Sequence, residues 1–157
     1  MTQRSPIRLV QYYFNKVEVE LRRDFQPSES PVEYSASIQS NVKKHSEDPF
    51  NFMVEIKVEI PSPDIPHIPY AVKIIGTGIF QIDREVEEKD HYTLVKGTGA
   101  AMLYGAMREF VLILTARTGP YPPLQLPTFP MSGILNSPIF DQQLLSPSPE
   151  STEQNHQ

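Results

Sequence analysis

Apolar and polar residues alternate along four segments of the chain, which predicts four β-strands. The clearest pattern covers 51–60, where every even position is apolar and most odd positions from 53 onwards are charged. A period of two over nine residues is typical of a strand with one buried and one solvated face. Similar patterns predict further strands at 7–21, 32–42 and 70–82.

The first predicted strand changes the face that carries its apolar side chains. The apolar residues first stand at even positions, as Val10, Tyr12 and Phe14, and then at odd positions, as Val17, Val19 and Leu21. Because side chains alternate strictly along a strand, this change requires a bulge or bend near Asn15 and Lys16. Two short strands joined by a turn are the alternative.

The segment 98–118 predicts one long helix that is apolar on nearly every side. A thin sheet can cover only one side of such a helix, so we expect a second copy of the protein to cover the other. The predicted oligomer interface consists of Leu103, Met107, Phe110, Val111 and Leu114. Arg108 and Glu109 interrupt the run, whereas a membrane span needs about twenty mostly apolar residues, so a transmembrane helix is not expected.

The chain beyond Gly119 is predicted to be irregular, because half of the sixteen prolines lie there. It divides into a crossover loop at 119–130, a short or broken second helix interrupted by Pro138, and a disordered tail at 146–157. Four antiparallel strands followed by helices on one face give a two-layer α+β fold. We therefore expect a single domain over 1–145.

Composition argues against several classes of function. The chain has 157 residues, a formal net charge of −5 and no cysteine, which argues against nucleic acid as a partner and excludes disulfides and thiol nucleophiles. Its first residues lack the uncharged apolar core of a secretory signal, so a soluble cytoplasmic protein is the expectation.

No catalytic or metal-binding motif is found. Gly97 and Gly99 precede apolar residues, but Met102 stands where the dinucleotide fingerprint needs a third glycine, so a flexible helix start is the better interpretation. The four histidines lie in separate polar segments without the spacing of metal ligands. We therefore expect neither an enzyme nor a bound cofactor or metal.

Large apolar side chains on the crossover loop suggest a binding surface. A proline-stiffened loop can only lie over the sheet or the helix, where Tyr121, Leu124, Leu126 and Phe129 would form one wall of an apolar groove. Such a groove suits an extended peptide. Simple covering of the core by the loop is equally compatible with these residues.

Several local strings, in this order, resemble the SecB family of export chaperones. They are GTGIFQI in the fourth strand, LYGAMRE in the helix and PPLQLP in the crossover. The resemblance covers roughly residues 9–129. It implies an ATP-independent chaperone that holds unfolded or nascent chains, assembles as a homotetramer (a dimer of dimers) and delivers clients to the SecA motor.

The resemblance also implies positions for the binding sites. Clients would bind in grooves lined by Tyr12, Phe14, Phe80, Tyr121, Leu124, Leu126 and Phe129. SecA would dock on the open face of the sheet near Glu18 and Glu20, where Lys16, Ala71 and Lys73 depart from the acidic pattern of the family. This departure leaves open a SecB-like chaperone dedicated to one client, such as the antitoxin of a toxin–antitoxin pair.

Overall fold

The computed structural model describes residues 4–29, 36–60 and 67–128 as an antiparallel sheet with one long helix on one face. The strands are β1 Ile7–Leu21, β2 Ser37–Lys44, β3 Asn51–Ile60 and β4 Tyr70–Ile82, in the spatial order β1-β4-β3-β2. This confirms the predicted α+β class. The predicted second helix and tail lie outside the described residues.

Strand β1 pairs with β4 along its whole length and has two register shifts. One lies between Phe14 and Lys16, which confirms the predicted bulge. The other, between Leu9 and Gln11, was not predicted, and Val10 falls in it and is exposed instead of sharing the face of Phe14. Each bulge inserts one residue, so apolar side chains return to the helix-facing side after it.

Glycines in β4 bring the helix close to the sheet. A Cβ atom on Gly76 would lie 3.1 Å from the sulfur of Met107, so the bare backbone there leaves room for that buried side chain. At Gly78 a Cβ atom would lie 2.8 Å from the ring of Phe80. Gly76 therefore lets the helix approach the sheet closely, whereas Gly78 leaves room for the Phe80 ring of its own strand.

The helix begins at Glu88, so the predicted start at residue 98 is wrong. It consists of α1 Glu88–Leu94, a π-helical turn Val95–Gly99 and α2 Ala100–Thr115, and it ends before the predicted residue 118. The glycines that suggested a helix start instead form the wide turn, where Gly99 packs against Ile7 and Phe80. No helix in the described ranges is long and apolar enough to cross a bilayer.

Candidate functional site

A mostly apolar groove of about 600 Å³ lies where the crossover meets the loops at one end of the sheet. We call it the crossover groove; it is lined chiefly by Phe25, Pro27, Pro69, Tyr121, Pro122 and Leu124. The rings of Phe25 and Tyr121 are in contact, with centroids 4.4 Å apart and planes tilted by 55°. One aromatic ring thus comes from each wall.

Two leucines anchor the crossover wall in the core. Leu124 and Leu126 are both buried, while Gln125 between them and the prolines at 122 and 123 are exposed. Extended backbone places alternate side chains on opposite sides, so this segment inserts its leucines inward and presents its other side to solvent. The crossover is therefore fixed in position by apolar burial.

Side chains of the helix supply the hydrogen bonds that a proline-rich segment cannot make with itself. The Tyr104 hydroxyl donates to the Pro127 carbonyl at 2.6 Å, and Arg108 Nε donates to the Leu126 carbonyl at 3.0 Å. The backbone N–H of Leu124 donates to Thr115 Oγ1 at 2.8 Å. Since buried backbone groups are costly when unpaired, these bonds stabilise a single position of the crossover.

Tyr70, the first residue of β4, holds the N-terminal end of the crossover. Its buried hydroxyl lies 3.2 Å from the Thr115 carbonyl and 3.3 Å from the Tyr121 carbonyl. Burial disfavours the phenolate and raises the pKa of Tyr70, with Tyr121 contributing in the same direction. The hydroxyl therefore remains a donor throughout the neutral range.

The opposite wall is held by polar contacts as well. Arg22 is buried, its backbone N–H donates to the Pro69 carbonyl, and its guanidinium donates two bonds to Asp24, which lowers the pKa of that carboxyl. His67 Nδ1 lies 2.7 Å from the Gln26 carbonyl, which can only accept, so this nitrogen carries the proton. Both walls of the groove are thus fixed by bonds between elements.

The predicted peptide-binding residues separate into groups in the structure. Tyr121 lines the groove, with Leu124 largely buried beneath it, whereas Phe80 and Leu126 are fully buried in the core and cannot touch a peptide. Phe129 lies outside the described residues. Phe25 was not among the predicted residues, and its one signal in the sequence is a single large ring in a loop of polar residues and proline.

Tyr12 and Phe14 belong to a different region, the β1–α2 surface. We use this name for Tyr12, Phe14, Val17, Met102, Phe110 and Ile113. Tyr12 is 48% exposed and packs edge-on against Phe14, whose ring lies 4.4 Å from that of Phe110. Ile113, on the side of α2 away from the sheet, is 50% exposed.

The predicted oligomer interface must be corrected for three residues. Leu103, Met107 and Val111 are buried within the chain itself, on the side of α2 that packs on the sheet. Phe110 and Leu114 are half-buried. The α2 side chains available to a partner are instead those on the opposite side, with Met102 and Ile113 the most exposed large ones of that helix.

The open face of the sheet carries both signs of charge around the predicted docking residues. Glu18 pairs with Lys16 at 2.9 Å and lies opposite Lys73, whereas the exposed Glu20 lies opposite Ala71. A hydrogen bond from Lys57 holds the pKa of neighbouring Glu59 below its usual value. This face is therefore an alternating pattern of charges and not an acidic patch.

Histidine and carboxylate side chains form no metal-binding cluster in the part of the chain described by the structure. No three His, Asp or Glu side chains there lie close enough together to hold a metal ion. His91 is buried next to the rings of Phe50 and Phe52, and its Nε2 lies 2.9 Å from the Val86 carbonyl. It serves the packing of α1 on the sheet.

Comparison with solved structures identifies the architecture. The chain superposes on the SecB-like chaperone Rv1957 of Mycobacterium tuberculosis, solved in complex with a ChAD peptide from the antitoxin Rv1956 HigA1, with a TM-score of 0.58 and 21% sequence identity. The match covers 80% of this chain and 91% of that one. No protein-family model and no curated protein sequence matches. The chain thus has the fold of a SecB-like chaperone.

Proposed function

We propose that this protein is an ATP-independent chaperone that holds unfolded polypeptide segments in the crossover groove. The observation that carries the proposal is a preformed apolar groove whose proline-rich wall is fastened by Tyr70, Tyr104, Arg108 and Thr115. A wall fixed in advance loses little conformational entropy when a guest binds. Such a groove can therefore bind without an energy source.

The lining indicates the chemistry of the guest. Aromatic and proline side chains offer apolar area with few fixed hydrogen-bonding groups, which favours apolar and aromatic side chains without a strict sequence. Burial contributes about 25 cal/mol per Å² of apolar surface, so several residues of an extended chain are needed for useful affinity. Unfolded chains supply such segments, and folded proteins bury them.

A chaperone dedicated to one client is the second candidate. It is supported by the solved neighbour, which shares the fold and was captured with a peptide from an antitoxin. Delivery of clients to SecA through Glu18 and Glu20 is a further part of the proposal. The lysines beside Glu18 reduce the negative potential that such docking would use.

We also propose that copies associate through the β1–α2 surface, as a homotetramer built from two dimers. Its apolar side chains are exposed on a helix and on a sheet edge that have no cover among the described residues. Large exposed apolar surfaces of this kind mark sites of association.

Light scattering of an aggregating unfolded client tests the proposal. We expect the purified protein, without ATP, to suppress aggregation when present in excess over the client. Tyr121→Ala should weaken suppression, because it removes the half-buried ring that lines the crossover wall. Unchanged client aggregation in the presence of the wild-type protein would contradict the proposal.

Tyr92→Ala is the matched control. Tyr92 is 41% exposed on α1 and does not line the crossover groove. It should leave suppression unchanged. A pull-down compares the two candidates: many captured proteins favour the general chaperone, whereas one dominant protein together with weak binding of generic unfolded chains favours the dedicated form.

A further inference from the structure

The side of α2 that faces away from the sheet carries two exposed charged residues, Glu109 and Arg117. Ile113, which is 50% exposed, lies midway between them in the sequence, four residues from each. On a helix, four residues advance a side chain by about 6 Å along the axis and turn it by about 40°. Glu109 and Arg117 therefore lie one helical turn to either side of Ile113, on one face.

Arg117 belongs to this face although α2 ends at Thr115. Ala116 has helical dihedral angles, with φ −62° and ψ −18°, and the backbone N–H of Arg117 donates to the Leu114 carbonyl at 3.1 Å. The chain thus continues beyond α2 in a tighter helical turn. The side chain of Arg117 therefore starts close to where a continued helix would place it.

Neither Glu109 nor Arg117 forms an ion pair in the ranges that the structure describes. The two residues are separated by about 12 Å along the helix axis, which is too far for a bond to each other. Arg108, next to Glu109, is directed to the crossover, where its Nε donates to the Leu126 carbonyl. The described part of the chain thus offers Glu109 no counter-charge.

Glu109 is the less expected of the two charges. A cation is favourable at the C-terminal end of a helix, which accounts for Arg117 without any partner. Glu109 lies far from the helix start and shares its face with the exposed apolar side chains of Met102 and Ile113. If a second copy covers this face, an uncompensated carboxylate there would strongly oppose the contact. A stable contact must therefore bring a cation to Glu109.

We infer that two copies pair through antiparallel α2 helices centred on Ile113, with Glu109 of each copy facing Arg117 of the other. This inference rests on the proposed association through the β1–α2 surface and specifies its register. A two-fold axis at Ile113 brings the arginine one turn after it level with the glutamate one turn before it in the other copy. Symmetry forms both ion pairs at once, and guanidinium groups suit carboxylates because they can bind them with two hydrogen bonds.

Other registers leave the charges unpaired or opposed. A parallel pairing, or an antiparallel one centred on Glu109, would bring the two Glu109 carboxylates together. An antiparallel pairing centred on Gly105, where an added side chain would meet nothing within 4 Å, would place Glu109 opposite Ala101. Of these arrangements, the one centred on Ile113 gives every charge an opposite partner.

Sedimentation velocity of charge-reversed variants tests this inference. Glu109→Arg alone and Arg117→Glu alone should each weaken association about tenfold, because each places like charges opposite one another twice in the contact. An equimolar mixture of the two variants should associate like the wild type, since opposite charges face each other in the mixed pair. Glu109→Arg combined with Arg117→Glu in one chain should recover association in the same way.

Glu47→Arg and Arg23→Glu are the matched controls. Both residues are exposed and lie outside α2, so the same changes of charge should leave sedimentation unchanged. Circular dichroism confirms that each variant is folded. Glu109→Gln provides a milder second variant, which should weaken association less than the reversal does.

Two results would overturn the inferred register. They are a single reversal that associates as strongly as the wild type, and a mixture that associates no more strongly than either variant alone. Either result would leave the association itself in place, whereas a wild-type protein that sediments as a monomer would overturn both. The chaperone function is tested separately by suppression of client aggregation.

Discussion

The crossover groove and the β1–α2 surface are both apolar, but they differ in how far contacts within the chain hold and cover them. Around the groove, side chains from β4 and α2 hold the crossover through defined hydrogen bonds, and its leucines are buried. On the β1–α2 surface, Tyr12 and Ile113 are half exposed and no described segment covers them. The chain itself holds the first region in place, whereas the second is exposed among the described residues.

This difference separates two kinds of binding. A braced groove keeps its shape when empty, which suits guests that come and go. A broad surface of exposed apolar side chains is unfavourable in water when left open, which suits a lasting association between copies. Substitutions that alter one region at a time can therefore test the two roles separately.

The largest expected effect is the contrast between Leu126→Ala and Ile113→Ala. Leu126 is fully buried, so its truncation should lower the free energy of unfolding by about 2–5 kcal/mol. Ile113→Ala should change the stability of the subunit by about 0.5 kcal/mol or less but reduce self-association. Urea denaturation at low protein concentration measures the first quantity, and sedimentation velocity measures the second.

The opposite pattern would reverse our assignment of the two regions. A stable Leu126→Ala protein would mean that the crossover is not anchored. An Ile113→Ala protein that sediments like the wild type would remove that residue from any interface.

An intermediate effect is expected from Thr115→Val, which keeps the shape of the side chain and removes its hydroxyl. The buried N–H of Leu124 then loses its acceptor, which should cost about 1–3 kcal/mol of unfolding free energy and weaken peptide binding. Thr118→Val is the control, because its hydroxyl bonds the Leu114 carbonyl within the same helix end and not the crossover. Equal peptide affinities for the two variants would argue against bracing by Thr115.

The smallest effect concerns the pH dependence of stability at Tyr70. Its pKa in the folded protein is raised above the ordinary value of 10.0, so the folded state holds this proton more tightly than the unfolded chain. The stability contribution is therefore complete below pH 10.0 and is lost as the pH rises above it. Urea midpoints on both sides of this pH should fall less in Tyr70→Phe than in the wild type, with Tyr92→Phe as the exposed control.

The strands and the presence of a helix could be predicted because each follows from local periodicity. The bulge near Asn15 was visible as a change of parity, whereas the bulge at Val10 was hidden because Val10 is apolar and continued the pattern of Tyr12 and Phe14. The helix start was misplaced because Gly97 and Gly99 are poor helix formers. Both are buried in the wide turn, and Gly99 lies against Ile7 and Phe80, a tertiary contact that local sequence does not show.

The site was less predictable than the fold. Tyr121 was predicted to line the groove, and it does. Phe80 and Leu126 were predicted to contact the peptide as well, but both are buried in the core. Periodicity shows which apolar side chains share a face. It does not show whether that face is covered by the same chain or by a bound peptide. Phe25 comes from the other wall, and that pairing depends on tertiary contact alone.

The wide turn at Val95–Gly99 has a consequence for how tolerant the helix is to change in length. A π-helical turn holds one more residue than an α-helical turn, so it adjusts the rotational phase between α1 and α2. This allows His91 and Leu103 to face the same sheet although they lie in separate segments of the rod. Deleting Thr98 would rotate α1 by about 100° relative to α2 and turn His91 away from the sheet. The C-terminal part of α2, which holds the crossover, would keep its position.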